Sequence, residues 1–181
     1  MKQPGQHFST LQRLLHWSMA VLIVTMLFVG VGMVSTVSRL HEALLALHRP
    51  LGIVLLALVI VRIATRLRCG APRLPAGLPA WQRAGAHASH LALYLLMIAM
   101  PLIGWSMLSA GGYPVVLYGG LHLPPIAPHD VTLYAWLRAA HTWLAMALYA
   151  TILLHLGAAL FHALIRRDGV LASIARGEAR G

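Results

Sequence analysis

Four stretches of this chain are too long and too apolar to belong to a water-soluble domain. Leu14 to Ser38 contains no Asp, Glu, Lys or Arg, and Ala84 to Leu108 contains none either. Ala43 to Leu67 carries Arg49 near its start and Arg62 near its end, and Ala135 to Ile165 carries Arg138. A helix needs about 20 mostly apolar residues to cross a bilayer, and each stretch exceeds that. The last, at 1.5 Å per residue, reaches roughly 46 Å, so its ends extend into the headgroups. The sequence therefore predicts an all-α integral membrane protein, a four-helix transmembrane bundle. A soluble α/β enzyme, a disordered tail and a disulfide-rich secreted module are excluded. Charged residues are only 10% of the chain, against about 25% in soluble domains. The first apolar run is too long for a signal peptide and lacks a short A-x-A ending.

The connections and charges set the topology. Cys69 to Arg83 is a Pro- and Gly-rich loop. Ser109 to Tyr134 is a second one, nearly uncharged, expected to lie on the membrane surface as a periplasmic cap. Pro101 is expected to kink the third span. The net charge of +10 is read as topology signalling, not nucleic-acid binding, because the basic residues flank apolar runs. Lys2, Arg13, Arg66, Arg68, Arg73, Arg83, Arg166, Arg167, Arg176 and Arg180 fall on one side. Arg39, Arg49 and Arg138 fall on the other. Both termini are thus expected in the cytoplasm, with 166–181 as a cytoplasmic tail of a multi-pass membrane protein. Cys69, the single cysteine, excludes an internal disulfide and a Cys-based metal cluster.

A chain this apolar nevertheless has 11 histidines. An ionisable residue inside a span marks a functional site by default. His141 and His155 are close to four whole turns apart, so they share a face and differ in height by about 21 Å. Two same-facing imidazoles at that separation suit two cofactors, one near each surface. By depth, His48 matches His141 on the periplasmic side. His16 matches His155 on the cytoplasmic side, with His90 competing for that role. Paired imidazoles from facing helices in an apolar pocket point to haem, whereas zinc wants three or four ligands at one point. No C-x-x-C-H occurs, so the haem is noncovalent and b-type. With both axial positions filled, electron transfer is favoured over oxygen binding.

Other residues keep an ordinary alternative. A single histidine in a helix is more often packed or hydrogen-bonded than a ligand. His87 and His90 share a face as ligand, quinone partner or propionate partner. His162 is placed to bond a quinone or to snorkel. Arg49 and Arg138 are placed to neutralise a haem propionate, to attract an anionic donor or simply to anchor at the interface. Arg62 is expected to snorkel to the cytoplasmic surface. His7, His41, His122 and His129 are read as solvated, and Met97, Met100 and Met107 as core or lipid-facing.

From Arg13 to Arg167 the chain resembles the bacterial di-haem cytochrome b561 family. The matching pieces are R-L-L-H-W (Arg13–Trp17), L-H-x-x-x-G (Leu47–Gly52), H-x-x-H-L-x-L-Y-x-L (His87–Leu96), P-L-I-G-W (Pro101–Trp105), Y-G-G-L-x-L-P (Tyr118–Pro124) and the two histidines of the fourth span. Their order and spacing carry the resemblance. It departs in the loop Ser109–Pro128, nearly neutral here where relatives often carry several polar residues, which bears on docking partners. The resemblance implies haem ligands at His16, His48, His141 and His155, and electron exchange with membrane quinone. Some members are superoxide oxidases, which oxidise periplasmic superoxide and reduce ubiquinone. On that reading superoxide meets Arg49 or Arg138, and quinone lies near His87, His162 and Arg13. Two other functions compete: a cytochrome b subunit fed by a docked dehydrogenase or hydrogenase, and a haem-free transporter or assembly protein using histidines for protons.

Overall fold

The structure, a computed structural model, describes residues 8–70, 77–117 and 120–175. Lys2, His7, Arg73, Tyr118, Gly119, Arg176 and Arg180, which entered the readings above, lie outside the described residues. Polar caps start the helices beyond the apolar runs. Helix α1, Thr10–Ser35, opens with a capping box: Ser9 Oγ accepts from the Gln12 amide and Gln12 Oε1 accepts from the Ser9 amide. Two otherwise unpaired amides are thereby satisfied, so α1 begins before Leu14. It ends at Ser35, short of Ser38, because Ser38 caps the next helix.

Helix α2 spans Arg39–Cys69, with Glu42 in its first turn and Arg66 and Arg68 in its last. These charges complement the helix dipole. Helix α3 spans Ala80–Ala110. Helix α4 spans Val131–Phe161, capped by Asp130, and runs on as a π-helical turn over His162–Arg166. Arg167 then adopts a left-handed conformation, φ 52°, which ends the helix. Helix α5, Val170–Ala175, follows. Pro50 and Pro101 lie inside α2 and α3. Lacking an N–H, each leaves the carbonyl four residues earlier without its helical donor.

Between α3 and α4 the chain forms a small antiparallel hairpin, β1 (Val115–Val116) with β2 (His122–Leu123), in register Val115 to Leu123. The segment is tied to the end of α3. Trp105 Nε1 donates to the Pro124 carbonyl at 3.0 Å, and the Ile126 and Asp130 amides donate to Ser109 Oγ and the Ala110 carbonyl. Gly112 has φ +72°, the left-handed region open to glycine. At Gly111 a Cβ would sit 2.7 Å from the Tyr113 ring and 2.9 Å from that of Tyr134. Gly111→Ala is therefore expected to cost about 1–3 kcal/mol, read as a lower thermal midpoint in detergent.

Helices α1 and α2 pack closely, as do α3 and α4, and α2 against α3 joins the two pairs. Little is fully enclosed. Leu15, Met19 and Val29 of α1, Pro50 and Val59 of α2 and Leu148 of α4 are the buried apolar residues of these helices, apart from Ala110 at the end of α3. Large apolar side chains instead face outward, including Phe28 at 74% exposure and Leu154 at 73%. In water such a surface would aggregate; in lipid it is the proper exterior. All four long helices are sufficiently long and apolar to cross a membrane. The protein is a four-helix, multi-pass membrane bundle. Both described ends of the chain lie at one end of it, the terminal end, and the β-hairpin lies at the other, the hairpin end.

At the terminal end α5 folds back. Trp17 Nε1 donates to the Ile174 carbonyl, and Gln12 Nε2 donates to the Gly70 carbonyl at 2.8 Å. Asp168 is the pin. Its carboxylate meets His162 Nδ1 at 2.6 Å and Arg166 Nε at 3.4 Å, and accepts from the Val170 amide that starts α5. Burial pushes this carboxyl up, but the His162 and Val170 hydrogen bonds, with the charges of His162 and Arg166, hold it below its ordinary 3.8. A depressed carboxylate contributes stability above its unfolded value and loses it as pH falls through the folded one. The docking of α5 is thus expected to weaken as the pH falls below about 3.8. Faster hydrogen exchange at the Val170 and Ser173 amides would report it, and Asp168→Asn should show the faster exchange at every pH.

Candidate functional site

The histidines of the spans gather at two heights. Towards the hairpin end, His48 of α2 and His141 of α4 face each other with ring centroids 6.1 Å apart and planes 69° apart. Each lies roughly 14–15 Å inside the start of its helix, which is why they meet. Glycine at position 104 of α3 makes the room: a Cβ there would lie 3.3 Å from His141 Cε1. The Nδ1 atoms of both rings are buried and have no hydrogen-bond partner among the described residues. The Met100 carbonyl is near enough to act on the His141 ring, but no hydrogen bond closes.

Towards the terminal end, three rings assemble. His90 of α3 and His155 of α4 have centroids 5.3 Å apart at 58°. His16 of α1 lies within electrostatic reach of both, and its Nδ1 accepts from Arg62 Nη2 at 3.1 Å. Arg62 Nε also donates to Tyr94 Oη at 3.3 Å. Arg62 therefore turns into the bundle and not, as expected, to the surface, because two neighbouring helices, α1 and α3, supply it with acceptors. That role could not be read locally, since a lone arginine near a helix end ordinarily snorkels. Tyr94 was equally unmarked, although its place one turn after His90 sets it on the same face.

The remaining expected site residues divide. Arg49 is half-buried beside His48, and its Nε is enclosed without a partner among the described residues, whereas Arg138 is exposed. His87 is exposed, so of the pair His87 and His90 it is His90 that faces inward. His162 is engaged by Asp168. Arg13 has a buried Nε without a partner among the described residues and borders a cavity of about 140 Å³ with Thr10, Leu14, Trp17 and Ala175. His41, expected to be solvated, is half-buried, with Nδ1 2.9 Å from the Met33 carbonyl across the α1–α2 turn.

This donor set fits haem. A neutral imidazole has one lone pair for a metal and one N–H for a hydrogen bond. The 6.1 Å spacing of His48 and His141 leaves room for one metal atom between them, imidazole–metal bonds being about 2 Å. Among the described residues no three of His, Cys, Asp or Glu converge as a closed metal site would need.

Comparison with known proteins agrees. Residues 7–177 match the family described as prokaryotic cytochrome b561. The chain is 28% identical to cytochrome b561 homolog 2 of Escherichia coli (strain K12), over 92% of this chain and 89% of the relative. It is 28% identical to cytochrome b561 homolog 1 of the same organism, over 91% and 94%. It is 31% identical to the probable superoxide oxidase CybB of Yersinia pestis, over 91% and 93%. With four apolar helices and inward histidines at two heights, the match over nearly the whole length means that this chain belongs to the prokaryotic cytochrome b561 family, as a membrane-embedded b-type cytochrome with an electron-transfer role.

Proposed function

We propose that this protein carries electrons across the bacterial inner membrane from periplasmic superoxide to ubiquinone, using two bis-histidine b haems. The observation that carries the reading is the pair of histidine clusters at two heights, one of them the opposed rings of His48 and His141. The ligands are His48 with His141 on the periplasmic side and His16 with His155 on the cytoplasmic side. Bound haem supplies a reversible one-electron couple whose filled axial positions discourage oxygen binding.

The residues of the chain do the rest. With the hairpin end facing the periplasm, Arg49 and Arg138 make that mouth positive and draw in a small anion. The terminal end then faces the cytoplasm, where Arg13, His87 and His162 border the quinone. Two superoxide anions each give up one electron and leave as oxygen. One quinone takes those two electrons and two protons. The 31% identity to a probable superoxide oxidase supports this donor.

A second reading of the cytoplasmic ligands has an observation of its own. The ring nearest His155 is that of His90, and the His16 Nδ1 is occupied by Arg62. His90 would then be the axial partner of His155.

The test is direct. Purified protein with both haems intact should reduce ubiquinone when superoxide is generated enzymatically. Arg49→Gln with Arg138→Gln should slow this about tenfold at low ionic strength and much less at high salt. Intact haems with no superoxide-driven quinone reduction would end the assignment.

A further inference from the structure

Among the described residues, Arg62 is a cation held inside the bundle by neutral groups alone. It lies seven residues, roughly 10 Å, before the end of α2. Its Nη2 and Nε are spent on His16 Nδ1 and Tyr94 Oη. Its Nη1 is enclosed and has no partner among the described residues. A guanidinium cannot shed its proton, and a charge enclosed at this depth is unfavourable unless paired.

Nothing among the described residues offers it a counter-charge. Among the described residues the carboxylates are Glu42, Asp130 and Asp168. Glu42 is in the first turn of α2, some 30 Å along the same helix. Asp130 caps α4 at the hairpin end. Asp168 is already engaged by His162 and Arg166. The imbalance is increased by Arg66, one turn further along α2, which stands 6.0 Å from the Tyr94 ring centroid. Two cations and a phenol therefore line one wall, beside His16, His90 and His155, with no anion among the described residues.

Hydrogen-bond logic adds a second constraint. Arg62 is donor-only, so His16 accepts at Nδ1 and carries its proton on Nε2. A His16 ring that offers Nε2 to iron must instead carry the proton on Nδ1. The Arg62–His16 bond and ligation through that nitrogen exclude each other. An anion that takes Arg62 away would free His16.

The geometry points to Arg62, steadied by Tyr94 and reinforced by Arg66, as the residue that holds a carboxylate of the cofactor at the terminal-end level, a haem propionate. This rests on the haem reading above. It assigns to Arg62 a hold on the cofactor separate from axial ligation, and it applies whether His16 or His90 faces His155.

The test compares natural haem with haem dimethyl ester, whose propionates are uncharged, loaded into the full chain. In the unaltered protein the ester should be retained less well on detergent washing. Arg62→Gln should weaken retention of natural haem by on the order of ten- to a hundredfold, the range for a lost charged hydrogen bond, with Arg62→Lys intermediate. In Arg62→Gln the ester should cost nothing further at this level, leaving only the ester effect at the other haem. That non-additivity is the signature of a direct pairing. Removing the positive charge should also lower the midpoint potential of one haem. Should Arg62→Gln fail to fold, Arg62→Lys with the ester runs the same cycle. Equal ester penalties with and without Arg62 would overturn the proposal and leave a lipid phosphate as the anion. Unaltered protein without b-type bands would refute the haem reading itself, and this one with it.

Discussion

If the two histidine levels each hold a haem, as proposed, replacing His141 with alanine is expected to leave the protein with one of the two. His141 is half-buried on α4 and faces His48 at 6.1 Å between ring centroids. Alanine keeps α4 helical, being the best helix former, and puts no new polar group in the bilayer. What disappears is one of two bonds to iron. Changes in groups that merely orient a metal ligand cost about 10–100-fold in affinity, and loss of the ligand itself should exceed that. His155 lies about 21 Å away along the same helix, so its level should keep its cofactor. Haem per chain should fall by about half, with circular dichroism unchanged. Added imidazole, entering the space that alanine leaves, should restore part of the loss. Loss of both haems with the helices intact would remove the basis for two independent heights.

The features legible in the sequence are those that helix geometry fixes. The four crossings follow from run length, and the agreement in height of His48 and His141 follows from a constant rise per residue. Rotation about the helix axis is different, because it depends on which helices pack together. Helix α3 packs closely on α4 while α1 packs on α2. This brings His90 to His155 and leaves His16 against Arg62, a distinction no period in the sequence carries. Arg62 itself reads locally as a surface cation, and only the acceptors on α1 and α3 turn it inward. The helix starts were partly legible: Ser9 with Gln12 is a capping signature that an emphasis on apolar residues passes over. The pin at Asp168 needed the chain reversal after Arg167, and a left-handed arginine has no sequence signal.

His16→Ala and His90→Ala should separate sharply, and the separation decides which imidazole stands opposite His155. The family resemblance gives the role to His16. On that basis His16→Ala removes the terminal-end haem, so haem per chain falls by about half, while His90→Ala leaves both haems bound. The ring geometry gives the opposite expectation, since His90 is the nearer neighbour of His155 and His16 is engaged by Arg62. The two outcomes differ by a whole cofactor, far beyond the effect of losing a packing contact, which is a few kcal/mol at most. His155→Ala is the common control, because both readings use it, and it must cost the same haem. Helical content by circular dichroism and retention of the His48/His141 haem guard against trivial unfolding. If His16→Ala keeps both haems and His90→Ala loses one, the cytoplasmic pair is His90 with His155. In that case the Arg62–His16 bond persists in the loaded protein, and only the free Nη1 of Arg62 remains to take a carboxylate.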